Sequence, residues 1–439
     1  MALPSSHPSS SPTATASAAL STHPDTRTAA SELAERLVDR LADRLADDQG
    51  AGSAPAGRAG AADLVLLFGS FHHRAAFGDA AAIVSRTLDP RCIIGVTAEW
   101  VVGPSHEVEG GPGLSGMALR LPGVTIDPVR FDPFDGPAEN WSDDFIRDRL
   151  AAGPDAKATF LFADPFSLQT PLLLDRIHRV TAPASLPIIG GLASGSSQPG
   201  ANVLVLDRTL AASGAVGVTL SGPLQVDSLV SPGCRPVGRT FVVTKGKGNV
   251  IDELSGRPAL DVAKEIVGAL PDGERAAVRD GLLIGMAINE YQERFGRGDF
   301  LLRAVLGADT RRNSLFIGDT ARIGRTVRFH VRDREAATED LELLLDREQV
   351  RDKPFAVFLT TCSSRGRKLF RAPHVDARAF ARRLGNPPLA GFFAAGEIGP
   401  VGDRSWLHGH AISAALFRST PAPDYTTPPP QFPPGSRPG

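Results

Sequence analysis

The run Leu64-Val65-Leu66-Leu67-Phe68, closed by Gly69, constrains the fold more than any other stretch of the chain. It is apolar at every position, so a strand built from it must be covered on both faces. Residues 74–88 follow with helical spacing, and then a second apolar run, Cys92-Ile93-Ile94-Gly95-Val96. Strand, helix and strand at this separation predict a βαβ unit, with a parallel pair and a right-handed crossover. Residues 114–121 and 124–131, split by Pro122 and Gly123, predict a hairpin. Further strands are expected at 159–163, 187–191, 203–206 and 215–220, with a helix at 172–180. Pro223, Pro232, Gly233, Pro236 and Gly238 then crowd together and predict a linker over 222–240. Beyond it, strands are expected at 241–244, 281–288, 300–306, 315–317, 326–331, 355–360 and 389–394. Helices are expected at 259–269, 335–348, 376–384 and 408–417. The expected class is α/β: mixed sheets flanked by helices in two domains, 31–225 and 226–418.

Composition settles what lies outside these elements. The 439 residues include 45 glycines and 36 prolines, and eight of those prolines fall within 419–439. Residues 1–30 and 419–439 offer little apolar surface to offset ordering entropy, so both are expected to be disordered tails. Leu33, Leu37, Leu41 and Leu45 recur every four residues and predict an amphipathic helix that docks on the first domain. Net charge is −2, which argues against a nucleic-acid partner. Cys92, Cys234 and Cys362 are widely spaced, so neither a disulfide framework nor a structural zinc site is expected. With no secretory signal and no run long enough to span a bilayer, a cytoplasmic protein without membrane contact is expected.

Several motifs fail on context. Gly111-Pro112-Gly113-Leu114-Ser115-Gly116 matches a dinucleotide fingerprint in letters only, since no strand precedes it. His408 and His410 form an H-x-H pair with no third ligand nearby, so no metal is expected. Two stretches look alike. Ile93 to Glu99 and Phe392 to Glu397 each end a buried run on small residues and a glutamate. A carboxylate just past a buried strand end is where open α/β sheets present ligand groups, although each glutamate could instead cap the following turn. The run 355–360 empties into Thr361-Cys362-Ser363-Ser364-Arg365-Gly366, a turn suited to an anionic group through Arg365. Cys362 is either a thiolate beside that guanidinium or a small buried apolar residue.

Taken together, these segments resemble the FIST family (F-box and intracellular signal transduction proteins) over roughly 62–418. The N-terminal part carries the likeness in Asp63 to Phe68, Gly95 to Glu99, Glu107 to Pro112, Ala163 to Phe166 and Gly190 to Ser194. The C-terminal part carries it in Gly233 to Gly238, Asp299 to Arg303, Phe329 to Asp333 and Cys362 to Gly366. Gly391 to Pro400 with Leu407, His408 and Gly409 completes it. The resemblance implies a sensory module that binds a small ligand, an amino acid or related metabolite, and it transfers no catalytic residue and no cofactor. The ligand-binding candidates are Glu99, Cys362, Arg365, Gly366, Gly396, Glu397, Trp406 and His408. An ammonium would sit on Glu397 and a carboxylate on Arg365. Two alternatives stand beside this one. An enzyme would use Glu397 or His408 as base and Cys362 as nucleophile. A scaffold would grip a protein signalling partner.

Overall fold

The computed structural model describes residues 13–49, 62–279 and 281–420. Four sheets form; three are mixed and share one plan, and the fourth is antiparallel throughout. Each begins with a lead strand: Thr15–Ser21, Thr125–Phe131 or Leu224–Pro232. A helix follows, then a central strand: Leu64–Ser70, Ala156–Ala163 or Ala356–Cys362. A second helix leads to a parallel partner strand: Cys92–Ala98, Ile188–Leu192 or Leu389–Ala394. A short two-stranded ribbon comes next. A return strand, Leu114–Arg120, Ala215–Ser221 or Ala411–Ser419, then pairs antiparallel with both the central and the lead strand. The chain is thus three α/β repeats.

The ribbons bind the repeats into a closed cycle. The first repeat's ribbon, starting at Val101–Gly103, joins the third sheet beside Leu389–Ala394. The second repeat's ribbon, Leu204–Leu206 with Thr209–Ala211, joins the first sheet beside Cys92–Ala98. The third repeat's ribbon, Glu397–Val401 with Arg404–His408, joins the second sheet beside Ile188–Leu192. Between the third lead strand and its helix lies an inserted sheet spanning Cys234–Lys247 to Thr326–Arg332. Cys234–Lys247 pairs with both Thr326–Arg332 and Val250–Leu254, which closes that sheet into a barrel.

Registry shows why glycine recurs in the partner strands. Leu67 faces Gly95, Leu161 faces Gly190 and Leu359 faces Gly391. A Cβ at these glycines would lie 2.6, 1.9 and 1.7 Å from the facing leucine carbonyl oxygen. Helix pairs cover the outer faces: Thr26–Gln49 with Phe77–Leu88, Asp143–Leu150 with Thr170–Thr181, and Arg334–Glu348 with Val375–Leu384. The inner faces meet in an aromatic core, where the Phe68 ring lies 5.6 Å from Phe162, 5.6 Å from Phe358 and 5.2 Å from Phe392. Among the described residues, no helix is long and apolar enough to cross a membrane.

Four expectations need correction. Residues 15–30 are not a tail: Thr15–Ser21 is a buried lead strand and the helix begins at Thr26. The segment is Ala- and Ser-rich because Leu114–Arg120 and the helix pack closely on it, so it needs no large side chain. Residues 1–12 and 421–439 lie outside the described residues, and Ser419 still belongs to the last strand. Pro122 and Gly123 make no hairpin; they carry the chain from the first sheet to the second. The expected linker 222–240 holds the strand Leu224–Pro232 and the start of Cys234–Lys247. Residues 411–419 form a strand instead of a helix, because strands hydrogen-bond to them on both sides. Two of the four sheets draw strands from both sides of residue 225.

Candidate functional site

Equivalent positions in the three repeats converge on one cleft. Past the central strands these are Phe71, Pro165 and Ser363; past the partner strands they are Glu99, Ser194 and Ala395. All six line the same cavity of about 830 Å³, at the C-terminal ends of the parallel strands. Arg74, Phe166 and the turn 193–198 complete its wall.

Buried polar groups hold these turns in place. Asp164 is fully buried; its Oδ2 accepts from Phe166 N (3.2 Å) and Ser167 Oγ (2.7 Å). Its Oδ1 accepts from Asn202 Nδ2 at 3.0 Å, and Asn202 Oδ1 accepts from Ser196 N at 2.9 Å. One carboxylate therefore positions both Phe166 and the 193–198 turn. Ser194 Oγ links all three repeats: it accepts from Glu99 N at 2.8 Å and donates to the Phe393 carbonyl. Gly195 lies against the first repeat, where a Cβ would sit 2.8 Å from Thr97 Oγ1. Glu99 Oε1 accepts from Lys368 Nζ at 3.0 Å, and that ammonium also lies 4.5 Å from the centre of the Trp100 ring. The Arg74 side chain is exposed and has no ion-pair partner among the described residues.

Of the eight candidates read from sequence, only Glu99 lines this cleft. Arg365 points into the interior and is 1 % exposed. Its Nε and Nη2 donate to Asp376 Oδ2 (3.0 Å) and Oδ1 (2.9 Å), and Thr361 Oγ1 donates to Oδ2 at 2.9 Å. Gly233 makes room for this guanidinium, since a Cβ there would lie 2.4 Å from Nη1. Gly366, at φ 57°, lets Arg367 N donate to Glu109 Oε2 at 2.8 Å. Gly396 turns the chain between Leu192 and Leu407; its carbonyl accepts from Leu192 N at 2.8 Å. Trp406 lies under the Arg404 guanidinium at 3.9 Å. Arg365 and Glu397 are thus both buried, and neither lines the cleft.

Cys362, Glu397 and His408 are buried as well. Cys362 Sγ accepts from His410 N (3.3 Å) and Ser364 Oγ (3.2 Å). Its counterpart in the first repeat is Ser70, whose Oγ accepts from Gly113 N at 3.0 Å. Both side chains tie a returning segment to a central strand. Burial, and then the neighbouring Glu397 carboxyl, push the Cys362 thiol up to about 12, so it stays protonated. Burial pushes Glu397 up to about 8, and its Oε2 accepts from Ala411 N at 3.1 Å. Burial holds His408 neutral, down to about 4, with Nε2 3.0 Å from the Gly399 carbonyl oxygen. No group of three or more metal-ligating side chains occurs among the described residues.

Sequence reasoning missed Arg74 and Phe71 as site residues, along with the roles of Phe166 and Ser194. A threefold comparison would have found Ser194. The Gly-to-Ala spacing of Gly95 to Ala98 recurs in Gly190 to Ala193 and Gly391 to Ala394, and the cleft residue follows each.

Two family models match most of the chain. The FIST N domain matches residues 63–257 and the FIST C domain residues 259–400. An uncharacterized protein of Mycobacterium tuberculosis is 37% identical over 377 residues, 84% of this chain and 92% of the relative. One of Mycobacterium bovis is 36% identical over 385 residues, with the same coverage. A solved cyanuric acid hydrolase from A. caulinodans covers 93% of this chain and 99% of its own, at 11% identity and a TM-score of 0.32. That likeness is too loose to transfer chemistry. By both family matches, which together span most of its length, the chain belongs to the FIST family.

Proposed function

We propose that this protein is a small-ligand sensor whose ligand occupies the cleft between the three repeats. FIST domains are sensory domains of signal transduction, and the cleft supplies what such a domain needs. The observation that carries the reading is convergence: six equivalent strand-end positions, two from each repeat, line one cavity of about 830 Å³. A ligand there touches all three repeats at once, so its binding energy bears on how they sit together. An amino acid or related metabolite suits the wall, with Arg74 for its carboxylate. A non-catalytic role is supported by the protonated, buried Cys362 and by the placement of Glu397 and His408 away from the cleft. No specific observation favours an enzyme or a scaffold.

The test is a thermal-shift screen of a metabolite library on the full chain and on Ala395→Trp. Ala395 is exposed in the cleft, so the indole fills the cavity without entering the core. A compound that raises the midpoint of the native protein and not of the variant supports the reading. Equal stabilisation of both, or none by any compound, refutes it.

A further inference from the structure

We infer that the ligand of this cleft is an aryl carboxylate: an aromatic ring held by Phe71 and Phe166, with its carboxylate on Arg74. The inference rests on the reading of the cleft as the ligand site and adds the ligand's class.

The rings supply the first argument. Three phenylalanines are strongly exposed among the described residues: Phe71 at 47%, Phe166 at 44% and Phe134. Two of the three stand in the wall of this one cleft, on turns from different repeats. Single exposed apolar residues need no explanation, but two aromatic rings in one concave site offer faces and edges to a third. The turns that carry the rings are held: Phe71 lies against the neighbouring His72 with ring centroids 3.9 Å apart, and the Phe166 backbone N–H is bound to buried Asp164.

Charge supplies the second argument. The Glu99 carboxylate is neutralised by Lys368, while Arg74 carries a guanidinium without an ion-pair partner among the described residues. The uncommitted charge of the cleft is therefore positive, and a planar guanidinium matches a carboxylate through two parallel hydrogen bonds. Ser363 stands in the same wall, with its Oγ buried behind it and without a protein partner. On the third repeat's side the wall is otherwise the small Ala395, which leaves space for the ring to enter.

Three small probes of similar size separate the two features. Benzoate has ring and charge, cyclohexanecarboxylate has charge without π-faces, and benzamide has the ring without charge. Binding to the full chain is measured by calorimetry at moderate salt. Benzoate is expected to bind on the order of tenfold tighter than either of the others. Arg74→Gln should bring benzoate to the benzamide level, and Arg74→Lys should keep part of the difference. Phe166→Leu should bring benzoate to the cyclohexanecarboxylate level. Both side chains are exposed, so these variants keep the fold. Benzoate binding no tighter than cyclohexanecarboxylate overturns the inference, as does full benzoate affinity in Arg74→Gln. If a non-aromatic metabolite binds in a way that Ala395→Trp abolishes and benzoate does not bind, the ligand class falls while the cleft stands. If Ala395→Trp leaves benzoate binding intact, both fall.

Discussion

Replacing Arg365 with Met tests how the turn from Cys362 to Gly366 works. The guanidinium is 1 % exposed and makes two charge-assisted hydrogen bonds, of 3.0 and 2.9 Å, to the fully buried Asp376. Without it, Asp376 keeps only the Thr361 hydroxyl and lies close to the Glu107 carboxyl, itself pushed up by burial and then by Asp376. Removing one partner of such a pair costs about 3–5 kcal/mol, because the other charge is left buried and uncompensated. Urea unfolding followed by tryptophan fluorescence reads this directly; Trp100 packs edge-on against Phe393 with centroids 5.4 Å apart. The double variant Arg365→Met with Asp376→Leu should be more stable than Arg365→Met alone, since it buries no charge. A single variant within about 1 kcal/mol of the native protein at pH 7 would refute the argument. Intact stability with lost ligand affinity would instead return Arg365 to the binding role first read from sequence.

Deleting residues 1–22 removes the strand Thr15–Ser21 and bares the edge of Leu114–Arg120; light scattering should then show self-association, and a stable monomer would contradict the pairing. Glu397→Gln should flatten the dependence of stability on pH. The native carboxyl is raised from 4.5 to about 8, so its contribution is full below pH 4.5 and lost as pH rises through 8. Urea midpoints compared between pH 5 and 8 check this, and parallel slopes for both proteins would rule it out. Gly391→Ala forces a Cβ to 1.7 Å from the Leu359 carbonyl oxygen and should cost about 3 kcal/mol or more. Gly111→Ala, with nothing within 4 Å of the new Cβ, should be nearly neutral in the same denaturation assay.

The candidate site was half legible in the sequence. The likeness of Gly95 to Glu99 and Gly391 to Glu397 was visible, and the turns holding these stretches both reach the cleft. Sequence could not say which side chain faces it. Glu99 stands in the wall, while Glu397 lies two residues beyond the equivalent cleft residue, Ala395, and turns inward toward Ala411. Nor could it show that Arg365 bends back on Asp376, because a guanidinium that pairs within the core and one that greets a ligand leave the same trace in a sequence.

What the sequence determined by itself is local. Apolar runs of five to seven residues closed by glycine must be buried strands, and the helical spacing between them must be helices packed on the sheet. These features depend only on neighbours along the chain. The cyclic exchange of ribbons, the strand at 15–21 and the strand at 411–419 were decided by the tertiary structure. Ala411–Ser419 is flanked by Leu224–Pro232 and Ala356–Cys362, and Thr15–Ser21 by a strand that begins at Leu114. Alanine by itself favours a helix, so these Ala-rich segments become strands only because hydrogen-bond partners that arrive from distant sequence override that preference.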